Sequence, residues 1–543
     1  FLMRQRAFAA LAALLLFSGC GARNAETRDP NIVICAWISA PESFNPFTTV
    51  SAAATMIQDL IYTKIVDLGP DLRPRWSTSF ASKIAITNGG RTYTLHLHSG
   101  GRWADGAPIT ADDLVFSLKL ASNTHLLAGN SGDFALLDER SVRRVDRNTV
   151  VFTLSSPSPP FLENALSETF IVPEHLFGHY PPQSQAEATF INSNQVLAHH
   201  PFASGAFTIK RVVPDSYLII EPNPGYWGPK PFLNEIAFRV YPQQDSLYAA
   251  VDAGEVDVTD IAPNLWRVHT RLRGNHRAVT WPWNVAFVLL PNFRSRSAPF
   301  LRERAVRQAM LYAINRPFII KGIMSGEADR LNGPIPSFSP YYNRYVPKYP
   351  FDPARARALL DEAGWKLQGG VRSKNGAALR FTLKTGGATD AVASNIAELV
   401  QANLRGVGID CRLDNEELQT FFDDIHHSKF EVALRGTILQ AYPDDYKDYY
   451  STQTVARGGY NLGFYDNAQV DKAIDSARVA QSKQQARADL NRYQKLAATE
   501  LPALYLYSNR LGAIVPSWMT GFDLTPLAPA ALPMGLQFWR RRI

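Results

Sequence analysis

The chain has 543 residues, 46% of them hydrophobic and 19% charged. That is globular composition, too long for one core, since a single core seldom grows past roughly 250–300 residues. With 56 basic against 49 acidic residues the formal charge is only +7, with no long basic run, which excludes the concentrated positive patch of a nucleic-acid binder. Three cysteines exclude a disulfide-dense scaffold and a four-cysteine metal knuckle. Ten Trp, 21 Tyr and 30 Phe are enough rings for a large core and an aromatic-lined pocket.

The first twenty residues read as processing information. Arg4 and Arg6 precede an apolar stretch over 7–17, too short to span a bilayer, which takes about 17–25 residues. It ends in Phe17-Ser18-Gly19-Cys20, which resembles a bacterial lipobox with Cys20 as the lipidated first residue of the mature chain. Phe17 stands where Leu is usual; a plain secretory signal with an incidental cysteine is the other reading. Residues 21–30 are polar and suit a tether.

Beyond the tether, short strand signals alternate with helical ones. Residues 31–38 read as a strand, 41–47 as a loop and 52–65 as a helix. The alternation of 91–98 predicts a strand. Thr110 predicts an N-cap for a helix over 110–120, with Asp112 and Asp113 in its first turn. Another strand follows at 148–154, and short helical pieces at 161–168 and 173–178. Strands at 236–240 and 256–258 flank a helix over 245–253. Helices are expected at 301–314, at 352–363 with Gly364 as a left-handed cap, and at 391–404, closed by Gly406. Strands are expected at 379–383 and 408–413, helices at 470–476 and 484–499, and a late strand at 503–507. The fold class is mixed α/β, without internal repeats and without the regular strand–helix beat of a barrel or a doubly wound dinucleotide fold.

Several segments carry a family pattern in order. They are RTYTLHLHSGGRWADGAPITADDLVFSL over 91–118, NPGYW over 223–227, LYAAVDAGEVD over 247–257 and PFLRERAVRQAMLYAINR over 299–316. FDPARARALLDEAGW over 351–365, with Phe351 at a usual Tyr, and PALYLY over 502–507 complete the set. The chain resembles the extracellular solute-binding proteins of the peptide and nickel type, the receptors of ATP-driven importers. The resemblance implies a discontinuous two-lobed clamshell with a smaller inserted domain: lobe I over 31–70, 200–280 and 512–543, inserted domain II over 71–199, and lobe III over 281–511. It implies a monomer on the periplasmic side of the envelope, lipid-anchored to the membrane. Its partners would be a peptide or peptide-like solute and the permease and ATPase subunits of an importer, with no nucleic acid.

No H-E-x-x-H, G-x-S-x-G, P-loop or S-x-x-K motif is present, so the expectation is a binder without catalytic residues, cofactor or metal. His175 and His179, His96 and His98, and His426 and His427 are close in sequence but lack an evident third ligand; surface roles are expected. Arg307 and Arg316, nine apart, point to different faces and read as carbonyl or salt-bridge partners inside one domain. Cys35 and Cys411 read as buried thiols on strands of different lobes.

The resemblance places ligand-holding strands at 37–44 and 435–442. The candidate ligand residues are therefore Trp37, Glu42 and Phe44, then Thr437, Ile438, Leu439, Gln440, Ala441 and Tyr442. Trp281 and Trp283 follow a lobe crossover and read equally as cleft or core. Peptide-binding members carry an aspartate for the ligand's amine just before the motif Tyr. Here Ala441 precedes Tyr442, which leaves Glu42, Asp444 and Asp445 as the nameable carboxylates. This departure keeps a non-peptide solute open as the alternative ligand; a secreted hydrolase or an inert scaffold ranks third.

Overall fold

The computed structural model describes residues 31–542 except 38, 50, 128–131, 200–201, 262–275, 389, 444–449, 451–460 and 529–531. The expected segments 1–30, and with them Cys20, lie outside the described residues, as do Asp444 and Asp445.

Three sheets organise the chain. Strand β1 (Ile32–Trp37) is followed by helix α1 (Ala52–Ile61), whose N-cap Ser51 accepts from the Ala54 amide. The chain then leaves for a separate antiparallel sheet made of β2 (Ala81–Thr87), β3 (Thr92–Leu97), β4 (Leu137–Asp146) and β5 (Thr149–Leu154), in the order β2-β3-β5-β4. In β3 the alternation works as the sequence predicts: Tyr93, Leu95 and Leu97 are buried on one face. Helix α2 (Ala111–Ala121) covers that face. It starts in a capping box in which the Asp112 amide donates to Thr110 Oγ1 at 3.2 Å and the Thr110 amide to Asp113 Oδ2 at 2.7 Å.

The chain returns as β6 (Phe207–Val213), β7 (Tyr217–Pro222) and β8 (Glu235–Val240), which pair as β1-β8-β7-β6 with β1 parallel to β8. Residues far apart in sequence thus share one N-terminal sheet. After β9 (Thr259–Asp260) comes a large sheet built on two long strands, β10 (His276–Pro291) and, at the end of the chain, β15 (Leu504–Pro516). Between them lie β11 (Ala328–Arg330), β12 (Arg380–Thr385), β13 (Asp410–Asn415) and β14 (Val432–Ile438), giving the order β11-β15-β10-β14-β12-β13, with β9 on β15.

The two long strands belong to two cores at once. Residues 276–282 pair with 510–516, and Val279, Trp281, Leu511, Ala513 and Val515 pack in the core of the N-terminal sheet. Residues 286–289 pair with 504–508, and Ala286, Val288, Leu289 and Leu504 pack in the large-sheet core. Register breaks between Pro282 and Ala286, where Pro282 has no N–H to give.

Buried arginines brace the large core. Arg307 donates to the carbonyls of Leu301, Glu500 and Leu501, and Arg316 to those of Leu331 (2.6 Å), Tyr505 (2.9 Å) and Tyr349. Both act inside one core, as the sequence reading expects. Gly364 takes the left-handed backbone expected after the helix Pro353–Glu362, with φ +85°. Gly406 closes the helix Ala391–Arg405 as expected, as its C-cap with φ −63°, and the left-handed turn falls two residues later at Gly408. The helix expected over 301–314 splits into a 3-10 turn, Pro299–Arg302, and an α-helix, Arg304–Ala313, and the piece over 161–168 begins as a π-helical turn, Phe161–Ala165. Cys35 and Cys411 are fully buried on strands of different sheets.

Candidate functional site

The segment after β14 is where the three parts of the molecule meet. Leu439 donates its amide to the Asn284 carbonyl at 2.7 Å, and Asn284 Nδ2 donates back to the Leu439 carbonyl at 2.8 Å. The Asn284 amide in turn donates to Pro526 of the C-terminal segment at 3.0 Å. Asn284 sits in the irregular stretch of β10, so the end of β14 is tied to the point where the long strands change core.

Three residues on, a side chain from the inserted region does the same to Tyr442. Asn164 Oδ1 accepts from the Tyr442 amide at 2.9 Å, and Asn164 Nδ2 donates to the Tyr442 carbonyl at 3.1 Å and to Gln440 Oε1 at 2.7 Å. A side-chain amide here makes the two-point contact that a neighbouring strand would make. Beside it, the Tyr341 hydroxyl, from the large-sheet side, donates to the Glu163 carboxylate at 2.8–2.9 Å. Tyr341 stands edge-on to Tyr442, centroids 4.9 Å apart, and the Tyr442 hydroxyl donates to the Ala477 carbonyl. Burial pushes the Glu163 carboxyl up, opposed by the Tyr341 hydrogen bonds and Lys483. Cavities of about 710 and 270 Å³ flank this contact, the first lined by Asn164 and Asp475, the second by Glu163 and Tyr442.

The other expected residues are placed as follows. Thr437 and Leu439 are buried and Ile438 is 65% exposed, as strand alternation requires. Gln440 is exposed, and Ala441 is buried in the apolar core under the inserted sheet with Ile65, Val66 and Leu166. Trp37 stacks on Phe238 at 4.8 Å, and Trp281 is buried in the same core, with Trp283 half-buried against it. Phe44 is buried, and its amide donates to Ala198 of the inserted region. Glu42 is exposed, but both its oxygens accept hydroxyls of its own loop, from Ser51 at 2.6 Å and from Thr49. It therefore sits at the start of α1, where its charge suits the helix N-terminus. Sequence reasoning missed Asn164, Glu163, Asn284 and Tyr341. The proline-rich run Ser156 to Pro160 ahead of the π-turn was the one available signal.

A further cavity of about 100 Å³ lies between α1, the inserted sheet and the C-terminal segment. Lys64 Nζ is 3.0 Å from Asp59 Oδ1, and Arg75 pairs with Asp523 and lies 3.8 Å from Asp67. Glu168 keeps an exposed side chain there, although protein surrounds it. Burial pushes the carboxyls of Asp59 and Asp523 up, against the pull of Lys64 on the first and of Arg75 on the second.

Among the described residues no three or more His, Cys, Asp or Glu side chains come together as metal ligands. His175 faces Asp105 at 2.8 Å, and His98 and His427 bond to backbone carbonyls. No helix among them is long and apolar enough to cross a membrane.

Comparison with known proteins places this arrangement. The chain is 26% identical over 496 residues to the oligopeptide-binding protein AppA of Bacillus subtilis, covering 90% of this chain and 88% of that one. It is 24% identical over 531 residues to the dipeptide-binding protein of Escherichia coli, covering 93% and 94%. The structure of the ABC transporter substrate-binding protein CtaP from Listeria monocytogenes superposes with a TM-score of 0.80 at 23% identity, covering 94% of this chain and 99% of that one. That of B. subtilis AppA in complex with a nonapeptide gives 0.73 at 24% identity, with the same coverage. The fold is thus the α/β clamshell expected from the sequence. The model of the bacterial extracellular solute-binding proteins, family 5, matches residues 74–460, more than half of the chain. The chain belongs to this family of solute-binding proteins, which are transporter components and not enzymes.

Proposed function

We propose that the protein captures a peptide or peptide-like solute between two lobes and delivers it to the permease and ATPase subunits of an importer. The observation that carries this reading is the convergence at 437–442 of β14, the inserted region and the crossover of the long strands. An extended ligand laid there meets a strand edge on one lobe and the Trp37–Phe44 loop on the other, so backbone hydrogen bonds grip it and side chains add breadth. The names of the AppA and dipeptide-binding relatives support a peptide. The register break at Pro282–Ala286 supplies a hinge, and ligand favours the closed state by binding both lobes. The lobe and inserted-domain boundaries expected from the sequence belong to this proposal, and the separate cores of the three sheets support them.

The second reading, a non-peptide solute, is favoured by one observation: Ala441 is buried among apolar side chains and offers no charge to an amine. Native mass spectrometry of protein purified without denaturation decides between them. A ladder of peptide masses supports the first reading, and a single non-peptide mass the second. The protein works as a monomer outside the cytoplasmic membrane, carried there by its signal segment and held through Cys20. Labelling with a clickable palmitate tests the anchor: no label on the wild type, with mature protein free in the periplasm, refutes it. One acyl chain binds only marginally, so more than one is expected.

A further inference from the structure

One row of residues crosses four strands of the large sheet. Arg330 on β11 stands opposite Tyr507 on β15, Tyr507 opposite Phe287 on β10, and Phe287 opposite Gly436 on β14. Directly opposed residues share a face of the sheet. The two rings stack, with centroids 4.9 Å apart and planes 4° from parallel. Gly436 adds no side chain to the row; a Cβ there would lie 3.5 Å from the Phe287 ring. Strand β12 pairs with β14 only as far as Leu434, so Gly436 lies past that pairing and just before the candidate ligand segment 437–442. Phe287 and Arg330 are both half-buried, so the row reaches solvent beside Gly436 and again at Arg330.

Arg330 lacks what a half-buried guanidinium usually has, a carboxylate or carbonyls to donate to. Among the described residues its side chain makes no ion pair and no hydrogen bond. The acids near it in sequence are taken. Asp329, one residue earlier and so on the opposite face, lies 3.1 Å from Arg510, and Glu327 lies 3.7 Å from the same arginine. Asp390, whose charge reaches Tyr507, accepts the Val392 and Ala393 amides at the head of its own helix.

A second cation is close instead. Arg316 donates to the carbonyl of Leu331, the residue after Arg330, at 2.6 Å, and to the carbonyls of Tyr505 and Tyr349. Burial, and then the charge of Arg330, push its pKa down to about 9. Two guanidinium groups thus feel each other's charge, and the acids nearby are spent elsewhere. Such a pair favours an anion arriving from outside.

We propose that Arg330 binds a carboxylate of the solute, laid along the Phe287–Tyr507 row. The planar guanidinium offers two parallel N–H groups to the two carboxylate oxygens. Neighbouring strands lie about 4.8 Å apart, so three steps put Arg330 about 14 Å from Gly436, the span of about four extended residues. The carboxylate is therefore the C-terminus of a short peptide or an acidic side chain of a longer one. This rests on the reading of the protein as a peptide receptor and adds a charge requirement to it.

Three pools of short random peptides with free amino termini test it, offered to the full chain and read by native mass spectrometry. The first lacks Asp and Glu and has free C-termini. The second is the same pool C-terminally amidated. The third is amidated with one Asp or Glu in each peptide. Retention of the first or third pool over the second is expected. The first favoured alone identifies the C-terminus, the third alone an acidic side chain. Arg330→Gln is expected to weaken retention of the favoured pool about ten- to hundred-fold and to leave the amidated, acid-free pool unchanged. Arg330→Lys, which keeps the charge and loses the fork, is expected to weaken it about three- to tenfold. Equal retention of all three pools by the wild type overturns the inference while the peptide reading stands. So does wild-type retention by both variants, or a loss in them that is equal for all pools. Retention of none by the wild type refutes the peptide reading and this inference with it.

Discussion

Replacing Asn164 by Ala removes a contact between the inserted region and the large-sheet side without touching either sheet. Among the described residues the wild-type amide hydrogen-bonds twice to the Tyr442 backbone and once to Gln440. Each contributes a net of about 0.5–1.5 kcal/mol, and the exposed Gln440 sits at the low end. Tyr442 is fully buried, so in the closed arrangement its amide and carbonyl lose a partner with limited access to water. In an open arrangement water serves both. The substitution therefore disfavours the closed form by about 2–4 kcal/mol, which is roughly 30- to 1,000-fold in the closed-to-open ratio. Ligand affinity falls in step, because only the competent fraction binds tightly. Small-angle X-ray scattering of ligand-free Asn164→Ala is expected to show a larger radius of gyration than wild type, contracting again at saturating ligand. A double-mutant cycle with Gln440→Ala should give a coupling energy for the exposed bond alone. An unchanged scattering curve together with affinity within twofold of wild type would refute the claim that Asn164 holds the closed form.

Other expectations follow from single residues. Burial raises the Glu163 carboxyl pKa, so the closed form takes up a proton between the ordinary carboxylate range and the raised value. Closure is therefore favoured as pH falls toward the ordinary carboxylate range and weakened as it rises; scattering over a pH series should show it, and Glu163→Gln should abolish the dependence. Arg316→Lys keeps the charge but cannot span the three carbonyls of Leu331, Tyr349 and Tyr505, so urea unfolding should show a loss of about 2–4 kcal/mol. Gly205→Ala would set a Cβ 2.6 Å from the Leu60 carbonyl oxygen, against backbone that cannot step aside, so a lower melting temperature is expected.

Much of the local structure is legible in the residues. Thr110 and Asp113 place the start of one helix, Gly364 the end of another, and the alternation of Tyr93, Leu95 and Leu97 marks a strand with one covered face. These signals act over a few residues, where backbone sterics and side-chain periodicity decide the outcome. Arg307 and Arg316 are legible for a related reason: a buried guanidinium needs several acceptors, and the nearest are carbonyls of its own core. The ordered motifs along the chain likewise carry the family and its clamshell. The site is different. Asn164 and Tyr442 are 278 residues apart, and Asn284 meets Leu439 across 155. An asparagine reads the same whether it faces solvent or another sheet's backbone. Nothing local told Trp281 to join a core or Glu42 to spend its oxygens on Ser51 and Thr49. Those outcomes depend on which surfaces the three sheets bring together, and long-range packing alone decides that.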